Sequence, residues 1–202
     1  MLSDGALLSL VVARLCGGRF GRLAELRLRW AWAFITGFGL QAVLMTATLN
    51  GFDPAIRYSG WVHLISYLFL AAGIGANRAS RPLQVVGLGL LMNFVVIAAN
   101  GGHMPVDVAA LRRSGRPDLA RMLVSRRSGK HVVMTARTRL AFLGDRYLLP
   151  RPYPRPCVFS PGDVPITLGA CALVLVGMGA FGLRHRPPHP ESAQEAACPA
   201  AK

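Results

Sequence analysis

Three aspartates, Asp107, Asp145 and Asp163, carry the carboxyl groups that could act as a general acid or base in this chain. Asp163 directly precedes an apolar run. A pair of carboxyl groups performs acid–base chemistry when the surroundings hold the two groups in opposite protonation states. A carboxylate at a helix start also has a structural use, because it accepts hydrogen bonds from free backbone N–H groups. We therefore predict Asp163 as a helix N-cap, with catalysis beside Asp107 or Asp145 as the alternative.

A second polar segment, Asn100-Gly101-Gly102-His103, follows the uncharged run 83–99. Glycine after a helix adopts the left-handed conformation that satisfies the last carbonyl groups, so this pattern predicts a helix end. Two glycines also admit a ligand or a lipid headgroup close to the backbone, which makes all four residues candidate contacts. His63 and His103 could meet at a metal, but two histidines without a placed carboxylate do not define a metal site. We predict neither metal nor cofactor.

Two side-chain amides, Gln41 and Asn93, lie near the middle of long apolar runs. An amide in hydrocarbon must find a hydrogen-bonding partner. We predict that the two amides bond each other between helices, which would stabilise the pair by about 0.6–2 kcal/mol. The alternative is a polar path for a substrate, as in a small transporter.

The amino-acid composition indicates whether these residues lie in water or in lipid. Of the 202 residues, 52% are hydrophobic and only 16% are charged, against about 25% charged in a typical soluble domain. Apolar runs of about 20 residues suit a bilayer core roughly 30 Å thick. The predicted fold is an all-α, polytopic membrane helix bundle of four or five spans. The predicted spans are residues 2–17, 30–49, 61–77, 83–99 and 164–183.

The first of these runs is short, so residues 2–17 either span the membrane or lie at its interface. The residues before its apolar core at 6–13 include Asp4 and no basic residue, which is unlike a signal peptide. Span two contains Ala33 and Gly37, and span three contains Ala71 and Gly75. Small residues four positions apart allow a neighbouring helix to approach closely.

Charge predicts the orientation of the spans. The links 18–29 and 78–82 carry four and two arginines, whereas the turn 50–60 carries one, so the two links are predicted to be cytoplasmic. The loop 101–163 is then extracytoplasmic, and the tail 184–202 is cytoplasmic and disordered. The loop contains eleven arginines and Lys130 against four aspartates, but a loop this long translocates largely regardless of charge.

The loop is predicted to be partly ordered. Asp107 and Asp118 are predicted to cap short helices that reach Arg113 and about Arg127. The pattern at 131–134 is typical of a strand, and Gly144-Asp145 predicts the turn of a hairpin over residues 140–149. The proline-rich stretch 150–161 predicts a stiff connector.

The net charge of +14 bears on partners. Arginine-rich segments between spans contact anionic lipid headgroups, so membrane lipid is the predicted partner, with a further membrane protein as a possible one. A nucleic-acid partner is not predicted, because no recognition motif accompanies the charge. The four cysteines are scattered without a paired metal-type spacing.

Several motifs resemble one known family. ANGGHMPV at 99–106, TRLAFLGD at 138–145, FSPGDVPITLG at 159–169 and AELRLRW at 24–30 resemble an uncharacterised bacterial membrane family, domain of unknown function five-three-one-seven. The resemblance covers nearly the whole chain except the tail. It implies a small polytopic protein of the bacterial plasma membrane, and it implies no activity, substrate or catalytic residue.

A second resemblance is local. A Gly-Asp pair, a proline-rich stretch and an aspartate that opens the last span are similar to the end of lipoprotein signal peptidases, in which the matching residue, here Asp163, is a catalytic aspartate. Ser160 and Gly162 stand where that motif has Asn and Ala, and the family's other motif, Asn-x-x-Asp-Arg, is missing.

The leading functional hypothesis from the sequence is a non-enzymatic accessory or sensory membrane component whose cationic loop contacts anionic lipid or envelope polymer. A membrane-surface hydrolase of aspartyl-peptidase type, using Asp163 with a second aspartate, is the alternative, and a small transporter is the third interpretation.

Overall fold

The computed structural model describes residues 2–125, 128–153 and 155–182, and the predicted tail 184–202 lies outside them. Most of this part of the chain is helical. The longer helices are α1 (Leu2–Leu15), α3 (Ala31–Leu49), α5 (Ser59–Ala76), α6 (Arg81–Ala99) and α9 (Asp163–Met178). Short helices α2 (Phe20–Ala24) and α4 (Asp53–Arg57) lie in the links.

Three of these helices, α3, α5 and α6, are long and apolar enough to cross a membrane. A helix of 19 residues such as α6 is about 28 Å long, close to the thickness of a bilayer core. Helix α9 is apolar but shorter, with 16 residues. Large apolar side chains point away from the protein on all three long helices, such as Ile35, Val43, Leu68 and Leu91. Extensive exposed apolar surface is costly in water, so the exposed belt supports lipid as the solvent.

The five longer helices contact one another in the spatial order α3, α5, α6, α9, α1. Glycines bring neighbouring backbones together. A Cβ atom at Gly37 would lie 2.8 Å from Leu70 of α5, and one at Gly89 would lie 2.3 Å from the carbonyl oxygen of Gly162 at the start of α9.

The prediction for Ala33 and Gly37 is confirmed, because both are buried. The prediction for Ala71 and Gly75 is wrong, since both are exposed and Gly73 faces the neighbouring helix instead.

The segment between α6 and α9 folds over one end of the bundle, and we call residues 100–162 the cap. It contains β1 (Met104–Val106), α7 (Val108–Arg113), α8 (Pro117–Val124), β2 (His131–Val133), a 3₁₀ turn (Ala141–Leu143), β3 (Tyr147–Leu149) and β4 (Cys157–Phe159). Strands β1 and β2 pair in parallel, and β3 pairs antiparallel with β4.

The hairpin lies later in the chain than the sequence predicted. Gly144 and Asp145 do not form its turn, because Asp145 runs beside β1, with its N–H donating to Pro105 O at 2.9 Å. The strands of the actual hairpin are β3 and β4, so the predicted connector 150–161 contains a strand. Similarly, α8 ends at Val124 rather than near Arg127, and Asp118 lies in its first turn rather than at its N-cap.

Helix α1 runs in the same direction as α9. Gly5 of α1 lies against Thr167 and Cys171 near the start of α9, and Ala13 packs with Met178 at its end. The start of α1 therefore lies on the cap side, where the Tyr153 hydroxyl donates to Asp4 Oδ2 at 2.8 Å and Arg155 forms an ion pair with Asp4. Thus the first and last long helices are both tied to the cap.

Candidate functional site

A buried polar cluster joins α6 to the start of α9. The Asn93 amide donates to Asp163 Oδ1 at 3.2 Å and its oxygen accepts from the Ser160 hydroxyl at 3.0 Å. The Ser160 backbone N–H donates to Asp163 Oδ2 at 2.9 Å. Ser160 is completely buried and Asn93 is 4% exposed. This closed set of bonds satisfies both an amide and a carboxylate at the helix junction.

The predicted role of Asp163 as an N-cap is wrong by one position. Gly162 is the N-cap and has no side chain, while Asp163 is the first residue of α9. Its carboxylate therefore accepts from groups before the helix and from α6, instead of from the N–H groups of its own first turn. Its position still places a negative charge at the helix end that favours it.

The predicted bond between Gln41 and Asn93 is not formed. Gln41 Nε2 donates to the Ser66 hydroxyl of α5 at 3.1 Å, whereas Asn93 bonds to Ser160 and Asp163. The physical reason is the helix order: α5 lies between α3 and α6, so each amide meets a nearer partner. Both amides do form interhelical or inter-element bonds, as an apolar solvent requires.

Asp145 is the carboxyl group that interacts electrostatically with Asp163. Burial and, as the smaller cause, the charge of Asp163 together raise the pKa of Asp145 to about 8. The backbone of Asp145 is fixed between Pro105 O and the N–H of Asp107, both at 2.9 Å. Asp145 and Asp163 thus form an interacting pair in which Asp145 keeps its proton at neutral pH.

Asp107 does not join this pair. Its Oδ1 accepts from the N–H groups of Ala109 at 2.8 Å and Ala110 at 3.3 Å. It is the N-cap of α7, as its position before an apolar helix predicts. Of the three aspartates, Asp107 therefore has a capping role, and the other two interact electrostatically.

The segment 100–103 is held by bonds within the protein. Gly101 and Gly102 have φ angles of 70° and 86°, and the Gly102 N–H donates to Ile97 O at 2.9 Å, which is the helix-terminating arrangement that glycines favour. Asn100 exchanges hydrogen bonds with the backbone of Arg139. Contact of these residues with a ligand or headgroup stays a prediction, and the geometry supplies a structural reason for each of them.

The two histidines near this segment bond to separate partners. His63 Nδ1 lies 2.9 Å from Gly102 O, and His103 Nε2 lies 2.9 Å from the Ser59 hydroxyl. The backbones are in close contact, because a Cβ atom at Gly102 would lie 2.4 Å from Gly60 Cα. Among the described residues, no group of three or more histidine, cysteine, aspartate or glutamate side chains could hold a metal ion.

A cavity of about 260 Å³ lies between the cap and the end of α3. Its walls are mainly apolar side chains of α3, α7 and α8, including Leu49, Leu111 and Leu119. Its polar lining comes from Lys130, His131, Asp145 and Ser128. An apolar cavity with a few convergent polar groups is the usual form of a small-molecule site.

The polar lining of this cavity is electrostatically unusual. Burial lowers the pKa of Lys130 and lowers that of His131 to about 4. His131 is therefore neutral at pH 7, with Nδ1 lying 3.1 Å from the Ser128 hydroxyl. Within the described ranges no carboxylate forms an ion pair with Lys130.

Sequence reasoning did not select Lys130, Ser160 or the apolar cavity wall as parts of a site. The available signal for Lys130 was its type, since it is the one lysine in a loop with eleven arginines. The partnership of Ser160 with Asn93 spans 67 residues of the chain, which no local pattern reveals.

Comparison with protein-family models gives one match over this fold. Residues 25–175 match a family of unknown function, DUF5317, which is more than half of the 202 residues. The chain belongs to this family. The matched range contains α3, α5, α6, the cap and most of α9. Searches of curated proteins and of solved structures found no match, and similarity to lipoprotein signal peptidases was not found.

Proposed function

We propose that this DUF5317 protein is a non-enzymatic accessory or sensory component of the bacterial plasma membrane whose cap binds anionic lipid headgroups or envelope polymer. In this proposal α1, α3, α5, α6 and α9 cross the bilayer, the cap is extracytoplasmic and the C-terminus is cytoplasmic. The apolar helices with their exposed belt support the membrane location.

The observation that carries the proposal is the exposure of the cap arginines. All nine arginines in the described part of the cap are exposed: Arg112, Arg113, Arg116, Arg121, Arg137, Arg139, Arg146, Arg151 and Arg155. Arg121 pairs with Asp118, and Arg155 pairs with Asp4. The other seven form no ion pair within the described residues, so their charge is available to a polyanionic surface, to which each basic side chain adds about 1 kcal/mol.

The test uses the full chain in nanodiscs of zwitterionic lipid, mixed with vesicles that contain phosphatidylglycerol. We expect the nanodiscs to float with these vesicles and not with pure phosphatidylcholine vesicles. Raising the salt from about 0.01 M to 0.15 M shortens the screening length from about 30 Å to about 8 Å, so binding should fall steeply.

A matched pair of triple variants assigns the binding to the cap. Arg112→Gln, Arg113→Gln and Arg116→Gln together should abolish flotation, because they remove three exposed charges of α7 and the turn after it. Arg19→Gln, Arg27→Gln and Arg29→Gln remove three exposed charges from the opposite end of the bundle and should leave flotation unchanged. Equal loss in the two variants, or binding that ignores salt, would contradict the proposal.

A second candidate function rests on the interacting carboxyl pair. Two carboxyls hydrolyse a peptide bond when one acts as base and the other as acid: Asp163 would take a proton from water, and the protonated Asp145 would give its proton to the leaving amine. We place this candidate second because both carboxylate oxygens of Asp163 already accept bonds from Asn93 and Ser160.

The hydrolase candidate is tested by incubating the reconstituted protein with a peptide library and identifying cleaved products by mass spectrometry. Cleavage by the wild type that disappears in both Asp145→Asn and Asp163→Asn would favour it, and cleavage that persists in either variant would remove it. The transporter interpretation required Gln41 and Asn93 to face one hydrated path, and their separate bonds to Ser66 and to Ser160 with Asp163 give it no support.

A further inference from the structure

The cavity beneath the cap is continuous with the lipid-facing side of α3. Met45 and Leu49 line it, yet their side chains are 51% and 48% exposed. Thr48, which precedes Leu49 and lies one turn after Met45, is buried against Gly129 of the cap, where a Cβ atom would lie 2.5 Å from Thr48 Cγ2. A molecule dissolved in the bilayer could therefore enter the cavity along α3 without crossing water.

Part of the cavity lining is polar and carries a cation. Lys130 is half-buried, and no described acidic group forms an ion pair with it. Asp145 also lines the cavity but keeps its proton at neutral pH, since burial and the charge of Asp163 raise its pKa to about 8. The polar lining therefore offers one positive charge, one carboxyl O–H donor and a neutral imidazole.

We propose that this cavity binds a fatty acid: a single alkyl chain that lies along the apolar residues of α3 and α8 and ends in a carboxylate at Lys130. Charge complementarity determines the headgroup of the ligand. A carboxylate would receive the Lys130 ammonium and a hydrogen bond from Asp145, and hydrogen bonds to charged groups are about twice as strong as those between neutral groups.

The size of the cavity limits the number of alkyl chains that the ligand can have. A volume of about 260 Å³ lies just below the usual range of about 300–1,000 Å³ for ligand pockets. It accommodates one chain, whose far end would continue over Met45 and Leu49 into the bilayer. A monoanion also fits better than a phosphate, because one cation and one O–H donor cannot satisfy the oxygens of a dianion.

This site is separate from the proposed surface function. The exposed arginines of the cap do not line the cavity, so binding of polyanionic surfaces and binding of a fatty acid can fail independently. Arg57 provides a matched control for Lys130: it is a cation of comparable length at the same end of the bundle, but it is exposed on α4 and does not line the cavity.

The experiment is equilibrium binding of radiolabelled decanoate to the full chain in phosphatidylcholine nanodiscs, with empty nanodiscs measuring partition into lipid. Unlabelled decanoate, decanol and decyl phosphate compete. We expect saturable binding of decanoate, and decanol to compete about tenfold more weakly, because it lacks the charge that Lys130 binds.

The variants separate the head site from the chain site. Lys130→Met should weaken decanoate binding about tenfold and leave decanol binding unchanged, Lys130→Arg should retain the preference, and Arg57→Met should have no effect. Leu119→Trp fills the apolar wall and should abolish binding of both ligands. Thermal melting followed by circular dichroism establishes that each variant is folded.

Any of three results would overturn the proposal: no saturable decanoate binding by the wild type, equal competition by decanol and decanoate, or tighter binding of decyl phosphate than of decanoate. Competition by decanol and decyl phosphate on the wild-type protein tests the proposal even if Lys130→Met does not fold.

Discussion

Two polar clusters join the cap to the helix bundle, and they differ in their bonding. The histidine cluster, formed by Ser59, His63, Gly102 and His103, contains two hydrogen-bonded pairs and joins two helix ends. The carboxylate cluster, formed by Asn93, Ser160 and Asp163, holds a carboxylate that accepts hydrogen bonds from the other two residues. The charge of that carboxylate contributes to the raised pKa of Asp145, which lines the cavity.

The predicted ligand contacts at 100–103 differ from Lys130 in their bonding. The groups of residues 100–103 already form hydrogen bonds within the protein. Lys130 is half-buried and forms no ion pair within the described residues.

The largest expected effect comes from breaking the histidine cluster at Gly102. Alanine there would place a Cβ atom 2.4 Å from Gly60 Cα and would also hold a left-handed conformation with φ at 86°. Backbone crowding and this conformation together should lower the free energy of unfolding by about 4 kcal/mol.

Gly101 is the matched control for this prediction. Its φ is also positive, at 70°, but a Cβ atom there meets nothing within 4 Å. Gly101→Ala should therefore cost only about 1–2 kcal/mol. Denaturant titration of both variants in detergent measures the difference, and similar losses would mean that the close approach of the two backbones does not matter.

Breaking the carboxylate cluster should cost slightly less. Asp163→Ala removes the acceptor for the Asn93 amide and for the Ser160 N–H, leaving two buried donors unsatisfied. The free energy of unfolding should fall by about 3 kcal/mol. Asn93→Ala leaves the exposed face of α6 untouched and should produce a comparable loss, because the same cluster is opened from the other side. A loss under half of this value in Asp163→Ala would show that water replaces the carboxylate.

The protonated carboxyl group of Asp145 predicts that the stability of the protein falls as pH rises. The histidine cluster does not produce a dependence in this direction. The pKa of Asp145 is about 8 in the folded protein and about 3.9 in an unfolded chain. Between these values the folded state holds one proton more, so stability falls as pH rises, by up to about 2 kcal/mol from pH 6.5 to 8.

His131 acts in the opposite direction below this window. Its pKa of about 4 in the folded state lies under the ordinary value of about 6.5, so protonation of the unfolded chain lowers stability as pH falls below 6.5. Melting temperatures of the wild type and Asp145→Asn from pH 6.5 to 8 isolate the aspartate. The wild type should lose stability across this range relative to the variant, and parallel profiles would refute the assignment.

The smallest expected effect is confined to the cap. Asp107→Ala removes the N-cap of α7, which typically costs about 1 kcal/mol. Because Asp107 belongs to neither cluster, hydrogen exchange should increase in α7 while α6 and α9 remain protected. Exchange that spreads into those helices would show that the cap and the clusters unfold together.

The apolar pattern predicted the long helices because it is local. The helices at Ala31–Leu49 and Arg81–Ala99 begin within two residues of the runs predicted at 30–49 and 83–99, since Trp30 and Pro82 mark where those runs start. The end of α6 at Asn100 and the N-cap of α7 at Asp107 were also predictable from local sequence, because each depends on residues within one helical turn.

The candidate site depends on pairings that no local pattern contains. Asn93 meets Ser160 across 67 positions, and its predicted partner Gln41 was excluded only by the position of α5 between their helices. The hairpin was misplaced because Gly144-Asp145 has the composition of a turn, whereas the long-range contact of Asp145 with Pro105 holds that pair in an extended conformation.

The connections of the cap have a mechanical consequence for the bundle. Only residues 100–103 separate α6 from β1, and only residues 160–162 separate β4 from α9, while Tyr153 holds the start of α1 through Asp4. Sideways separation of α6, α9 and α1 would therefore have to pull the cap apart. The cap acts as a clamp that keeps these three helices together at one end of the bundle.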